Sequence, residues 1–381
     1  MQTEIRTLSL RIAYLISITA VAFALVEPAF AQDRHFVYTN DDIAPPAANT
    51  VTGFSVASNG SLSILGHFAT NGTGLGGGFY ASRRASVSRA GDLVFAANSA
   101  DGSVSIFSGA STGNLVFQQI KNTGNPAFFG MSVVSDGQCI VIAGNNLGQV
   151  GSNYVFSYSL SNLTALSTPV SFILLPSRPD DLKYKKIGTN SYVVTALPFS
   201  QKVAVMLLTQ KCQLTQPNMI ATFGGSFGAV PTGVDFSEDG SVLYVGDANF
   251  VGTIVEAFAF PSGTPLAGSP YVYSSGTNSN TVLVVRNCLF VANQLSGGLS
   301  AIPLQSGGIL GPNATVYPAG AGGVPAGMAR DVNRQMLYIA SGPDNTVTTE
   351  IIGTNCSLIE APGTPIGTGQ PGLLESVTAY P

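Results

Sequence analysis

A short apolar phrase returns along this chain at intervals of 46 to 57 residues. It reads FVYTN from Phe36, LVFAAN from Leu93, CIVIAGN from Cys139 and YVVTA from Tyr192. It continues as VLYVGD from Val242, CLFVAN from Cys288 and MLYIAS from Met336. A unit of that length made of four short alternating stretches is one blade of a β-propeller, which buries its faces only by stacking on its neighbours. Seven units predict an all-β, seven-bladed propeller with four-stranded antiparallel blades.

The fifth unit is the clearest. Pro231-Thr232-Gly233 leads into an inner strand, VDF, and Glu238-Asp239-Gly240 turns the chain into VLYVG. TIVEAFAF from Thr253 is the third strand, and Pro261-Ser262-Gly263 turns toward the outer one. Alternation with β-branched and aromatic residues between Gly, Pro, Asn and Asp is the signal for strands and hairpins. Pro126, Pro179, Pro231, Pro325 and Pro371 announce inner strands, where a fixed φ suits the entry and no ladder N–H is lost.

The chain ends fit the same count. FVYTN has no inner strand before it, and a lone strand, ESVTAY (Glu375 to Tyr380), closes the sequence. Pairing of this last strand with Phe36–Asn40 would complete blade one and remove two open sheet edges.

Residues 1–31 read as a cleaved export leader. Arg6 and Arg11 precede the apolar run Ile12–Val26, and Ala29-Phe30-Ala31 offers a cleavage site before Gln32. The run is short for a bilayer span. The expectation is a protein secreted or periplasmic, with no membrane span after cleavage and one propeller domain over 32–381. Charged residues are 9% of the chain and the net charge is −4, so no basic stripe exists for a nucleic acid. The absence of Trp weighs against propeller classes built around that residue.

Four Cys allow three pairings. Cys139 and Cys288 share one repeat position, and Cys212 and Cys356 share another, in turns between third and fourth strands. In an oxidising compartment this doubling favours bridges Cys139–Cys212 and Cys288–Cys356, with four free thiols as the alternative.

The phrase PTGVDFSEDGSVLYVGD resembles the YVTN-type repeat. Seven such units with a closing C-terminal strand are similar to the lactonase-type, 6-phosphogluconolactonase-like seven-bladed propellers. The resemblance covers nearly all of residues 32–381. It implies the closed ring and, for the enzymes of that group, a lactone site of His, Arg and Glu side chains on the loops of one face. This chain departs from that pattern. Its only His residues are His35, at the start of a second strand, and His67, on an outer strand.

Titratable groups are sparse in the loops. Arg178-Pro179-Asp180-Asp181 is the densest cluster, followed by Lys183, Lys185 and Lys186. Adjacent carboxylates can split their pKa values or hold a cation, and Arg178 can fork onto an oxyanion. Arg178, Asp180 and Asp181 are therefore the catalytic candidates. Asp41, Asp42, Asp247 and Asp344 occupy equivalent second-to-third-strand loops and are the binding candidates, with Asx turns as their ordinary role. Arg83 and Arg84 are a basic spot in the longest loop. Phe128, Phe129, Phe223 and Phe227, in Gly-rich entry loops, are candidate anchors for a partner or sugar. No residue set predicts a metal site or cofactor, although a divalent cation held by carbonyls in the channel is left open. Three readings follow. The first is a non-catalytic binding scaffold, a monomer presenting its loop face to a protein or glycan. The second is a lactone hydrolase with a His-free site, and the third a cell-surface structural component.

Overall fold

The computed structural model describes residues 34–76, 86–123, 128–146, 153–160, 168–223, 225, 228–274, 276–318, 323–331 and 333–381. The leader and its cleavage site, and Arg83 and Arg84, lie outside the described residues, as do Phe227 and the side chains of Phe128 and Phe129. Among the described residues no helix is long and apolar enough to cross a membrane.

His35–Pro381 forms seven antiparallel sheets, each running from an inner to an outer strand. The second strands are the repeated phrases: His35–Asn40, Leu93–Asn98, Cys139–Asn146, Asn190–Leu197, Val242–Ala248, Cys288–Asn293 and Met336–Ser341. Their alternation puts apolar side chains on both sheet faces, and both faces are covered by neighbouring blades. Seven hydrophobic clusters result, one in each seam between consecutive blades, including the seam of blades seven and one.

The ring closes as the sequence predicts. Ser376–Tyr380 is the inner strand of blade one and pairs antiparallel with Phe36–Asn40, Phe36 opposite Tyr380. Both expected disulfides are present: Cys139–Cys212 joins blade three to blade four, and Cys288–Cys356 joins blade six to blade seven. Each lies within the apolar cluster of its seam.

Two blades depart from the simple four-strand plan. The outer edge of blade five is broken into Thr264–Pro265 and Tyr271–Tyr273, and that of blade seven into Leu358–Glu360 and Ile366–Gly367. Pro265, Pro270, Pro362 and Pro365 remove ladder donors there, which interrupts the edge strand.

The tyrosine of the repeat has a defined task. Tyr38 Oη donates to the Ala110 carbonyl at 2.8 Å, and Tyr244 Oη donates to the Gly308 carbonyl at 2.8 Å. Both bonds run from a second strand to the next blade's turn between third and fourth strands. Blades one and five are therefore each anchored to the next blade by a buried phenol, whose apolar body fills the seam while its hydroxyl finds a partner; Tyr338, at the same repeat position, turns instead to Met336 Sδ.

Candidate functional site

A belt of small or acidic side chains circles the channel where the inner strands begin. Ser376 Oγ accepts from Val87 N at 3.0 Å, and Ser86 Oγ accepts from Val133 N at 2.7 Å. Ser132 Oγ donates to the Asp180 carbonyl at 2.7 Å, and Asp181 Oδ2 accepts from Val234 N at 3.2 Å. Thr281 Oγ1 donates to the Ala326 carbonyl at 2.9 Å. At the remaining two positions glycine brings the backbones together. A Cβ on Gly233 would lie 2.6 Å from the Asn280 carbonyl oxygen, and one on Gly327 would lie 2.5 Å from that of Glu375. An inner-strand edge has no further strand to pair with, so these contacts satisfy backbone groups facing the axis.

That belt explains the first set of candidates. Asp181 holds a backbone amide of the next blade, and Lys183 Nζ lies 3.9 Å from its Oδ2. Asp180 is buried and takes Arg178 Nε on Oδ1 at 3.2 Å, while the Arg178 guanidinium stacks on Phe199 with 4.9 Å to the ring centroid. Arg178 and Asp180 form one ion pair, and Asp181 with Lys183 forms a second that lines the channel.

The four loop aspartates lie in blades one, five and seven and do separate jobs. Asp41 is buried and receives the hydroxyls of Thr50 at 2.5 Å, Thr52 at 2.8 Å and Thr39 at 3.2 Å. Burial pushes its carboxyl up to about 6, although the three hydroxyls oppose the shift. Asp42 sits at φ 44° and gathers Leu75 N, Gly76 N and Ser99 Oγ at 2.8–3.1 Å, which fixes the loop after blade one. Asp247 is buried beside Glu256 in blade five; burial first, and then the Glu256 charge, raise it well above the usual carboxylate range. Asp344 is exposed in the turn before Asn345. Among the described residues no group of three His, Cys, Asp or Glu side chains is placed to hold a metal ion.

Neither histidine lines the channel. His35 is buried with its Nδ1 against Asp331 Oδ2 of blade seven. His67 lies exposed on the outer strand with Nδ1 2.9 Å from Thr52 Oγ1. Because that hydroxyl donates to Asp41, His67 supplies the proton of this contact.

Two features remain that no single motif announces. The first is an apolar face. Loops between second and third strands, and between one blade and the next, all emerge at the end where the inner strands begin. There Phe199 is 73% exposed, Phe250 82%, Val251 71%, Leu295 44% and Phe223 43%. They belong to the consecutive blades four, five and six. Phe223 was expected as an anchor; Phe199, Phe250, Val251 and Leu295 were not. The second feature is the channel, a cavity of about 520 Å³ lined by inner strands. It runs from the belt toward the opposite end, past Arg89, Lys183 and Arg330.

No family model matches the sequence, and no curated protein matches it. Solved structures do. A candidate 6-phosphogluconolactonase of Bacteroides fragilis superposes with a TM-score of 0.71 at 14% identity, over 93% of this chain and 100% of that one. A second, from Bacteroides uniformis, gives 0.71 at 13% identity over 92% and 100%. The periplasmic gluconolactonase of Pseudomonas aeruginosa gives 0.57 at 20% identity, over 75% of this chain and 83% of that one. At such identities the likeness is one of fold: this chain is a lactonase-like seven-bladed propeller in architecture.

Proposed function

We propose that this is an exported binding propeller whose loop face docks a partner protein through the apolar tips of blades four to six. The observation that carries the reading is the exposure of Phe199, Phe223, Phe250, Val251 and Leu295 at one end of three adjacent blades. Rigid aromatic and aliphatic side chains held in water by a fixed scaffold are the residues that anchor interfaces. The mixture of Phe with Val and Leu favours a protein over a glycan, since sugars stack on flat rings and gain little from branched aliphatics. The two disulfides fit an oxidising compartment outside the cytoplasm.

A photo-crosslinking residue at position 250, in the native host's envelope or secreted fraction, tests the reading. One dominant adduct that disappears in a Phe199→Ser/Leu295→Ser background is the expected result. Absence of any adduct, or one indifferent to those substitutions, overturns it. Self-adducts alone would make the chain a surface-array component.

A lactone hydrolase is the second reading, supported by the Asp181–Lys183 pair in the channel wall. It predicts base uptake in a pH-stat with a lactone panel, lost in Asp181→Asn. Against it stands the engagement of Asp181 with Val234 N, which leaves the carboxylate poorly placed to accept a substrate proton.

A further inference from the structure

We propose that the central channel, at the opposite end from the apolar loops, binds a small hydroxylated organic anion carrying two or more oxyanion groups. This site is separate from the docking face and does not depend on it.

Three cations line one cavity. Arg89 comes from the inner strand of blade two, Lys183 from blade four and Arg330 from blade seven, so they approach from three sides of the ring. Two carboxylates share the cavity wall against these three cations: Asp181, which already accepts a backbone amide, and the terminal group of Pro381. The positive groups are therefore in excess within the cavity.

Each cation also keeps donors to spare among the described residues. Arg89 uses Nε on the Ala379 carbonyl at 2.7 Å and Nη1 on the Gly91 carbonyl at 2.9 Å, with its guanidinium over Tyr380. Nη2 is left. Arg330 spends Nη1 on the Val284 carbonyl, leaving Nε and Nη2. Lys183 Nζ stands 3.9 Å from Asp181, too far for a hydrogen bond, and keeps all three protons. Arg89 and Arg330 are fixed by backbone contacts yet unsaturated, which is how an anion site is preorganised before its ligand arrives. Lys185, nearby, is held below its usual range by burial and then by Arg330, against the opposing charges of Asp235, Glu238 and Asp239.

The rest of the wall sets the class of ligand. Ser88 and Thr378 hydroxyls line the cavity, and the apolar atoms come from Val87, Val133, Leu283 and Met328. Hydroxyls that can donate or accept suit a ligand with hydroxyls of its own. The volume of about 520 Å³ falls in the range of small-molecule sites and excludes a folded partner. Guanidinium groups fork equally onto carboxylates and phosphates, so a tricarboxylate and a sugar bisphosphate share the chemistry required.

Isothermal titration of the purified protein at low and high salt tests the site, using citrate, fructose 1,6-bisphosphate and glucose. At least one anion should bind saturably, more weakly at high salt, while glucose gives no heat. Citrate alone would identify a carboxylate ligand, and the bisphosphate alone a phosphate ester. Lys183→Gln and Arg330→Gln should each weaken binding about tenfold, the ~1.4 kcal/mol of a charge-assisted contact. Ser88→Asp breaks none of the hydrogen bonds described and places a negative charge in the cavity, so it should abolish binding with the thermal midpoint kept. No heat from either anion at about 10 mM, far above the range of a specific site, overturns the proposal. So does binding that all three variants leave intact.

Discussion

Asp247 and Glu256 lie diagonally across the second and third strands of blade five, two buried carboxyl groups on one sheet face. The register sets Asp247 opposite Ile254 and Val245 opposite Glu256, so both acids point the same way. Glu256 Oε1 also accepts Phe223 N at 2.7 Å, which ties this pair to one of the exposed loop aromatics.

The pair has a pH signature. Burial and then the Glu256 charge raise the Asp247 carboxyl, so it is protonated in the folded chain where an unfolded Asp is ionised. The folded value lies above the unfolded one, so the stability it contributes is complete at low pH and is lost as pH rises through the raised value. Asp247→Asn cannot ionise. It should raise the thermal midpoint by about 2 °C at alkaline pH and leave it unchanged near the acid end, as scanning calorimetry across pH would record.

Asp41 should behave similarly in a window that is easier to reach. Its carboxyl moves from 3.8 to about 6, so its contribution is present below about pH 4 and disappears as pH rises through 6. A shift of that size corresponds to something on the order of 3 kcal/mol. Asp41→Asn should flatten this limb of the stability–pH curve, measured by urea unfolding between pH 4 and 7.

Gly372 is a place where a single methyl group cannot fit. A Cβ there would lie 1.7 Å from the Asp41 carbonyl oxygen, a backbone atom that cannot swing aside. Gly372→Ala should cost about 2–3 kcal/mol, the scale of an overpacked core site. Gly367→Ala, whose Cβ would meet nothing closer than 4.0 Å, is the control and should be near neutral in the same denaturant titration.

The cross-links close loops of 73 and 68 residues. By loop-closure entropy each stabilises by about 4 kcal/mol. Cys288→Ala/Cys356→Ala should lower the midpoint even under non-reducing conditions. Wild-type protein should fall only after reduction, and further, because reduction opens both bridges.

Repetition made the scaffold legible. A strand phrase met seven times fixes blade number, and two Cys at equivalent positions with two others in equivalent turns favour the pairing that the structure shows, because stacked blades place equivalent positions side by side. The site was less legible. Asp180 and Asp181 invite a catalytic reading as neighbours in sequence, yet Asp181 holds Val234 N, an amide 53 residues away. Nothing local signals that bond. Phe199 and Phe250 escaped notice for the opposite reason: a Phe is by default a core residue, and only the ring geometry puts these two in water. Arg89, Lys183 and Arg330 sit in three different repeats, unremarkable singly, and meet only around the axis.

The pairing of Phe36–Asn40 with Ser376–Tyr380 also sets how the molecule responds to force. His35 and Pro381 emerge from the same end of two adjacent antiparallel strands. Tension applied through them would part residue pairs one after another, beginning with Phe36 and Tyr380, instead of shearing the whole ladder at once. Blade one would yield first and at low load. The extension would then stop short of the full contour, because the spans enclosed by Cys139–Cys212 and Cys288–Cys356 cannot pay out while those bonds hold.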